Sequence, residues 1–213
     1  MKKVFFLSVM MCSAYIICAQ NYPEPEFSNE VYYLNKKDTG YSVMRLEKGA
    51  SGMAAKTKMA GFGGSEQGYT IDDSKSSIRL AGGNNLSFVY SLGNSSQSSS
   101  SKSDSAMRAN GMDPSMMQGM MGGMNDPSKF TLYKLDIEKG ARKIFLMKSG
   151  GANPFSNHKM QSSDKYTFSV KKIRDGYWVL VTDKALPKGE YAFTMMDMTS
   201  GSMGVTYFAF GVD

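Results

Sequence analysis

An all-β fold is what the sequence predicts: a single antiparallel β-sandwich, immunoglobulin-like or Greek-key, with a long disordered Ser/Met-rich insertion. Three observations carry that prediction. Short β-branched and aromatic runs with period-two alternation recur along the chain, turn residues separate them, and no segment longer than one turn has convincing helical spacing. About nine or ten strands of ordinary length in one domain require two sheets that share a core, an arrangement that can leave the outer faces polar.

The chain opens differently. Lys2 and Lys3 precede an apolar run from Val4 to Ile17, broken only by Ser8, Cys12 and Ser13, which is the charged and apolar pairing of a secretory signal peptide. The run is shorter than the ~20 apolar residues of a bilayer span. Ile17 and Ala19 suit a cut before Gln20, so residues 1–19 are expected to be removed. A lipoprotein signal also ends its apolar run at a cysteine, here Cys18. The residue before such a cysteine is normally small, and Ile17 is bulky, so a periplasmic or secreted protein is expected ahead of one anchored through Cys18.

Cleavage removes both cysteines, and with them disulfides, thiolate metal sites and cysteine nucleophiles. Of 213 residues 194 remain, enough for one good core. Of the 25 Lys and Arg, 23 remain against 19 acids. The densest basic pairs are Lys36 with Lys37 and Lys171 with Lys172, and no basic stripe or RNA-reading motif exists, so nucleic acid is not an expected partner.

Taken in order, Pro23, Pro25 and, counting Glu30 just beyond, three acids make residues 20–29 an extended lead-in to a domain spanning 30–213. Runs at 30–34 and 41–46 read as a hairpin. From 49 to 68 the composition falls to Gly, Ala, Ser, Lys and Met without periodicity, and predicts a loose connection with at most one short strand. Its run from Ala60 to Ser65 lacks the Gly-Lys-Ser/Thr ending of a phosphate-cradling loop and reads as a flexible turn. Strands are expected at 77–80 and at 86–90, where Leu86, Phe88 and Tyr90 alternate with Ser87 and Val89. Residues 130–135 and 144–147, joined through Lys139 and Gly140, predict a tight hairpin; 166–173 and 177–182, joined through Asp175 and Gly176, predict another. Two more strands follow at 191–196 and 205–210. Leu186, Gly189 and Tyr191 have the spacing of a tyrosine corner, in which the phenol closes a Greek-key turn by bonding back to the backbone.

Three stretches, Ser74 to Leu80 leading to Phe88 and Val89, Asp126 and Pro127 leading to Leu132 to Leu135, and Leu186 to Phe193 with the ending Phe208 to Asp213, resemble an uncharacterised family of exported β-sandwich proteins from Bacteroidetes-type bacteria. The resemblance implies an exported sandwich and brings no active site with it. The chain departs from that pattern by the insertion at 91–125, placed between strands that are expected to be neighbours, so a two-residue Asn-Gly turn is expected to replace residues 92–125.

The insertion has a serine-rich half, too polar to offset the entropy of ordering, and a methionine-rich half. Met107, Met112, Met116, Met117, Met120, Met121 and Met124 put seven thioethers into eighteen residues. Met112, Met116, Met117, Met120, Met121 and Met124 are the candidate metal ligands. Thioether sulfur is soft, and several on one flexible loop suit Cu(I) or Ag(I) in a compartment where thiols oxidise. Methionine is also an adaptable contact residue, and a tract of this kind is more often a spacer, or a surface for a partner or a second copy, than a metal site. Met195, Met196, Met198 and Met203 fall in or beside strands and are expected in the core.

Catalytic readings are short of parts. His158 is the only histidine and sits in a Gly, Asn and Ser-rich stretch with no nucleophile motif, and no pair of acids stands out for glycosidase chemistry. Asp104, Ser105 and Ala106 match a three-residue O-glycosylation pattern, making Ser105 a candidate modification site. The expected function is a non-enzymatic exported binding or envelope-associated module with a protein or surface ligand. The alternative is a periplasmic Cu(I)/Ag(I)-binding protein acting through the methionine-rich loop.

Overall fold

The computed structural model describes residues 22–38, 40–57, 64–92, 126–150, 160–197 and 204–213. Fourteen strands account for most of them. They are β1 (Glu30–Lys37), β2 (Gly40–Arg45), β3 (Glu47–Gly52), β4 (Ala54–Thr57), β5 (Ser65–Ile71), β6 (Arg79–Leu80) and β7 (Ser87–Ser91), then β8 (Thr131–Glu138), β9 (Ala141–Ser149), β10 (Lys165–Tyr166), β11 (Phe168–Arg174), β12 (Tyr177–Thr182), β13 (Gly189–Asp197) and β14 (Gly204–Val212). One 3-10 turn, Pro127–Lys129, leads into β8. Among the described residues no helix is long and apolar enough to cross a membrane.

Two sheets pack together as a β-sandwich. The first has the order β11-β12-β7-β1-β2 and is antiparallel throughout. The second runs β3-β14-β13-β8-β9-β5-β4, with β10 beside β8 and the two-residue β6 parallel to β14. Their shared core is aromatic: Phe88, Tyr90, Tyr191, Phe193, Phe208 and Phe210 are fully buried. Phe88 meets Phe193 edge to face at 5.0 Å, and Tyr90 meets Phe130 in the same way at 5.0 Å. Full burial stabilises the fold by about 2 kcal/mol for each such side chain.

The second sheet also curls around a core of its own. Its path begins on β3 and ends on β4, which follow one another with only Met53 between them, so the seven strands of that path form a closed circuit. Inside lie Tyr69, Ile71, Tyr133, Leu135, Ile144, Ala192, Val205 and Ala209. The Ser51 hydroxyl ties β3 to β5, donating to the Thr70 carbonyl at 2.9 Å and accepting the Thr70 N–H at 3.2 Å. Such closure removes the exposed strand edges that an open sheet would present.

Two strands change sheets without a loop. Leu46, buried and bonded through its N–H to the Val31 carbonyl, is the only residue between β2 in the first sheet and β3 in the second. Thr167 separates β10 from β11 in the same way. Corners of this kind are how stacked sheets exchange strands.

The local turn chemistry follows the sequence. Lys139 and Gly140 have φ of 53° and 78°, both positive as a type I′ hairpin requires, and join β8 to β9. Gly176, φ 71°, turns β11 into β12, with a register shift between Lys172 and Arg174. The Tyr191 hydroxyl donates to the Pro187 carbonyl at 2.6 Å, the back-bond of a tyrosine corner.

Three expectations need correction. The stretch at 49–68 is not a loose connection where it is described: Glu47–Gly52 pair with β14, and 54–57 and 65–71 form β4 and β5. The small residues there admit neighbours that a larger side chain would exclude, since a Cβ on Gly49 would collide with the Tyr207 hydroxyl. Strands β7 and β8 are not neighbours; β7 lies between β1 and β12, and β8 lies in the other sheet. A two-residue Asn-Gly turn joins paired antiparallel neighbours, which β7 and β8 are not. The outer face of the first sheet is apolar rather than polar, with Tyr32, Leu34, Val89, Tyr177 and Val179 all buried on it.

One end of the closed sheet is plugged by charge. Arg142 on β9 is 1% exposed and donates to both carboxylate oxygens of Glu47 on β3, and to the carbonyls of Asp72 and Asp73. Nearby, Glu190 on β13 accepts hydrogen bonds from the Ser76 N–H at 2.9 Å and from the Arg79 guanidinium, which also holds Asp213. Removing one partner of such a pair leaves buried acceptors without a donor. Arg142→Met should therefore lower stability by about 3–5 kcal/mol in urea unfolding, and adding Glu47→Leu should recover part of that loss. A double variant no more stable than the single one would show that the pair does not hold the circuit closed.

Candidate functional site

Two regions combine exposed or half-buried polar groups with a rigid support. The first is the end of the sandwich from which the insertion departs. Ser91 ends β7 and the Leu92 N–H donates to the Gly176 carbonyl at 2.8 Å, so the first two residues of the insertion expected at 91–125 belong to the scaffold and its remainder is 93–125. Gly176 is needed there twice over, for its positive φ and because a Cβ would lie 3.0 Å from the Leu92 carbonyl. On the return side the Asp126 carboxylate accepts the Ser128 N–H at 2.9 Å and caps the 3-10 turn. That bond holds its pKa below the usual carboxylate value. Behind both stems, Tyr90 stands between Phe130 at 5.0 Å and Trp178 at 6.0 Å. The insertion thus leaves one sheet and enters the other on fixed stems.

The second region is the outer face of the first sheet, across which residues 22–29 lie. Tyr22 stacks on Tyr41 of β2 at 5.3 Å and tilts against Tyr177 of β12 at 6.3 Å. The Tyr177 hydroxyl donates to the Pro23 carbonyl at 2.8 Å, and Arg174 pairs with Glu24. Further on, the Phe27 N–H donates to the Tyr32 hydroxyl at 3.0 Å and the Arg45 guanidinium lies 4.8 Å from the centre of the Phe27 ring. Burial pushes the Tyr177 phenol up to about 12 and raises Tyr22 as well. Proline fixes φ and disfavours helix in the residue before it, so Tyr22-Pro23-Glu24-Pro25 is extended by its own chemistry. Asn29, φ 58°, then turns the chain into β1.

The candidate ligands Met112, Met116, Met117, Met120, Met121 and Met124, the candidate modification site Ser105, the anchoring alternative Cys18, and His158 all lie outside the described residues. So do Met198, Met203 and the glycine run at 60–63. Of the strand methionines, Met195 packs on the shared core, while Met196 is 72% exposed. The difference has a cause: pairing of β8 with β13 ends at Thr194, so Met196 projects past the edge of the neighbouring strand.

Among the described residues, no three His, Cys, Asp or Glu side chains gather where a metal ion could sit. A polar cavity of about 130 Å³ is lined by Lys134, Asp136, Ser162, Ser163 and Asp164 among others. Two acids share its wall. Ser163 is committed within it, donating to Asp136 at 2.6 Å and accepting the Phe145 N–H at 2.8 Å, so it acts as a tie between β8 and β9.

The aromatic outer face was the feature that sequence reading missed. Its signal was present: in Tyr177 to Val181 all five residues are apolar or aromatic, and an uninterrupted run of that kind belongs to a strand buried on both faces.

No family model, curated protein or solved structure matches this chain.

On β8 and β9, Glu138 accepts from Lys148 and Lys143, which hold its pKa at about 2 against an ordinary 4.5. A folded-state pKa below the unfolded one contributes stability above pH ~4.5 that is lost as the pH falls toward 2. Glu138→Gln should flatten the acid limb of the stability curve in that window, read by urea midpoints at successive pH values. An unchanged limb would mean that other carboxylates carry it.

Proposed function

We propose that this protein is a non-enzymatic, exported binding or envelope-associated module: a rigid β scaffold that offers the 93–125 insertion to a protein or surface ligand. One observation carries the reading: the insertion leaves one sheet and enters the other on stems fixed at Leu92 and Asp126. Among the described residues the carboxylates whose pKa moves, Glu47, Asp126, Glu138, Asp175 and Asp213, all move down. A general acid needs the opposite shift, toward neutrality. For Glu47 burial alone pushes up, and the hydrogen bonds from Arg142 and Ser76 outweigh it. These acids are held ionised by cations or N–H donors, which is the work of structural ties.

The stems let a long segment vary without disturbing either sheet. Export rests on the opening pattern of Lys2 and Lys3 before the apolar run, and destination outside the cytoplasm follows from it. The density of methionine between Met107 and Met124 favours one second reading, soft-metal capture by Met112, Met116, Met117, Met120, Met121 and Met124.

The test uses the chain from Gln20 and a variant whose residues 93–125 are replaced by a Gly/Ser linker of about six residues, which spans ~20 Å and so crosses between sheets ~10 Å apart. Both should melt cooperatively. A photo-crosslinker placed at position 110 should capture a discrete envelope component, and anaerobic Cu(I) titration against a chromogenic chelator should show no retention by either protein. Cu(I) retained only when the insertion is present would replace this reading with the metal one. Turnover of model esters, glycosides or phosphate esters by both proteins would replace it with an enzyme.

A further inference from the structure

The outer face of the five-stranded sheet has a ligand in place already, and that ligand is part of the chain. Residues 22–27 read Tyr-Pro-Glu-Pro-Glu-Phe, an extended acidic segment whose two prolines lower the entropy lost on docking. The sheet meets it with matching chemistry. Tyr41 and Tyr177 take the Tyr22 ring, the Tyr177 hydroxyl takes the Pro23 carbonyl, Arg174 takes Glu24, and Arg45 lies against Phe27. An aromatic surface that stacks on an extended Pro-containing segment, with a flanking arginine for its acids, is a recurring mode of peptide recognition.

The contacts divide into two kinds. Tyr32, Leu34, Val89 and Val179 beneath the segment are buried to 5% exposure or less, so the face is costly to leave bare. The segment is anchored at Tyr22 and Pro23 and open along its acidic edge: Glu24, Glu26, Phe27 and Ser28 are exposed, and the Arg174–Glu24 pair has side chains 46% and 69% exposed, where ion pairs contribute little. A face that needs a cover, and a cover that meets it through one stacked ring, a few hydrogen bonds and solvent-exposed acids, are what a peptide of the same chemistry could reproduce in trans.

We propose that the outer face of the five-stranded sheet is a docking surface for extended, acidic, proline-containing peptide segments, occupied at rest by the chain's own residues 22–27. The inference extends the binding-module reading to a surface away from the insertion. The occupant in trans is a partner segment of the same chemistry, an apolar or aromatic residue followed by Pro and Glu. Because the resident segment competes, the affinity for such a peptide is reduced by the fraction of molecules in which the face is open.

The probe is a fluorescein-labelled peptide spanning residues 20–28, measured by anisotropy against the chain from Gln20 with its insertion intact. The wild type should bind weakly, and Tyr22→Ser with Glu24→Lys should bind about tenfold more tightly, because the face opens more often. Adding Arg174→Glu should reduce the gain, and a peptide carrying Lys in place of both acids should bind more weakly. Glu24→Lys alone alters an exposed side chain and should give a smaller gain in the same direction, so the question is answered even where the double variant fails to fold. No binding by a cooperatively melting loosened variant overturns the proposal. So does equal binding by wild type and variants, which places the peptide elsewhere, or a stable dimer by light scattering that disappears when residues 20–28 are altered, which makes a second copy the occupant. The six-residue linker variant should bind the peptide as the wild type does, so the insertion reading and this one can fail separately.

Discussion

Strands β13 and β14 form a wall between two cores, and most of the fold depends on its being buried on both faces. Toward the first sheet the wall presents Tyr191, Phe193, Phe208 and Phe210; toward the closed sheet it presents Ala192, Val205 and Ala209. The asymmetry is volumetric. Between two stacked sheets ~10 Å of depth is filled by large side chains, whereas the closed circuit already contains Tyr69 and Tyr133, so the wall must be thin on that side. Exchange of Ala192 for a larger residue overpacks one core without helping the other.

A wall shared by two cores has to be joined to both, and the chain does this by strands that change sheets. The run from β2 through Leu46 to β3, then through Met53 to β4, pairs in turn with β1, β14 and β5. One covalent path therefore registers the first sheet against both ends of the second. Charged ties secure the places where backbone pairing runs out. Arg142 spans from β9 to β3, Glu190 and Arg79 bind the 72–79 segment over the plugged end, and Gly211 leaves room for the Arg79 guanidinium, with which a Cβ would collide. These groups are fully engaged in holding the fold.

What the sequence made legible and what it hid divide along the range of the interactions. The β8–β9 and β11–β12 hairpins and the tyrosine corner are set by residues within a few positions of each other, so Lys139-Gly140, Asp175-Gly176 and Leu186 to Tyr191 announce them. Strand β3 was illegible because Gly49, Ala50 and Ser51 have little intrinsic preference for a strand, and their pairing comes from β14, more than a hundred and fifty residues away. The placement of β7 and β8 in different sheets was hidden for the same reason: alternation reveals a strand and says nothing of its partner. Of the candidate site, the fixed stems and the aromatic face come from the structure, and the methionine tract remains a statement about sequence.

The two surfaces that carry the functional readings meet at one end of the first sheet. The N–H of Asn29, where the lead-in turns into β1, donates to the carbonyl of Ser91 at 2.7 Å, and the next residue, Leu92, is bonded to Gly176. Gly176 belongs to the turn that follows Arg174, the partner of Glu24 in the lead-in. Three consecutive ties thus connect the cover of the outer face to the stem of the insertion. The barrel-like second sheet, locked by Arg142 and Glu47, lies on the far side of the shared wall and serves both surfaces as a fixed base.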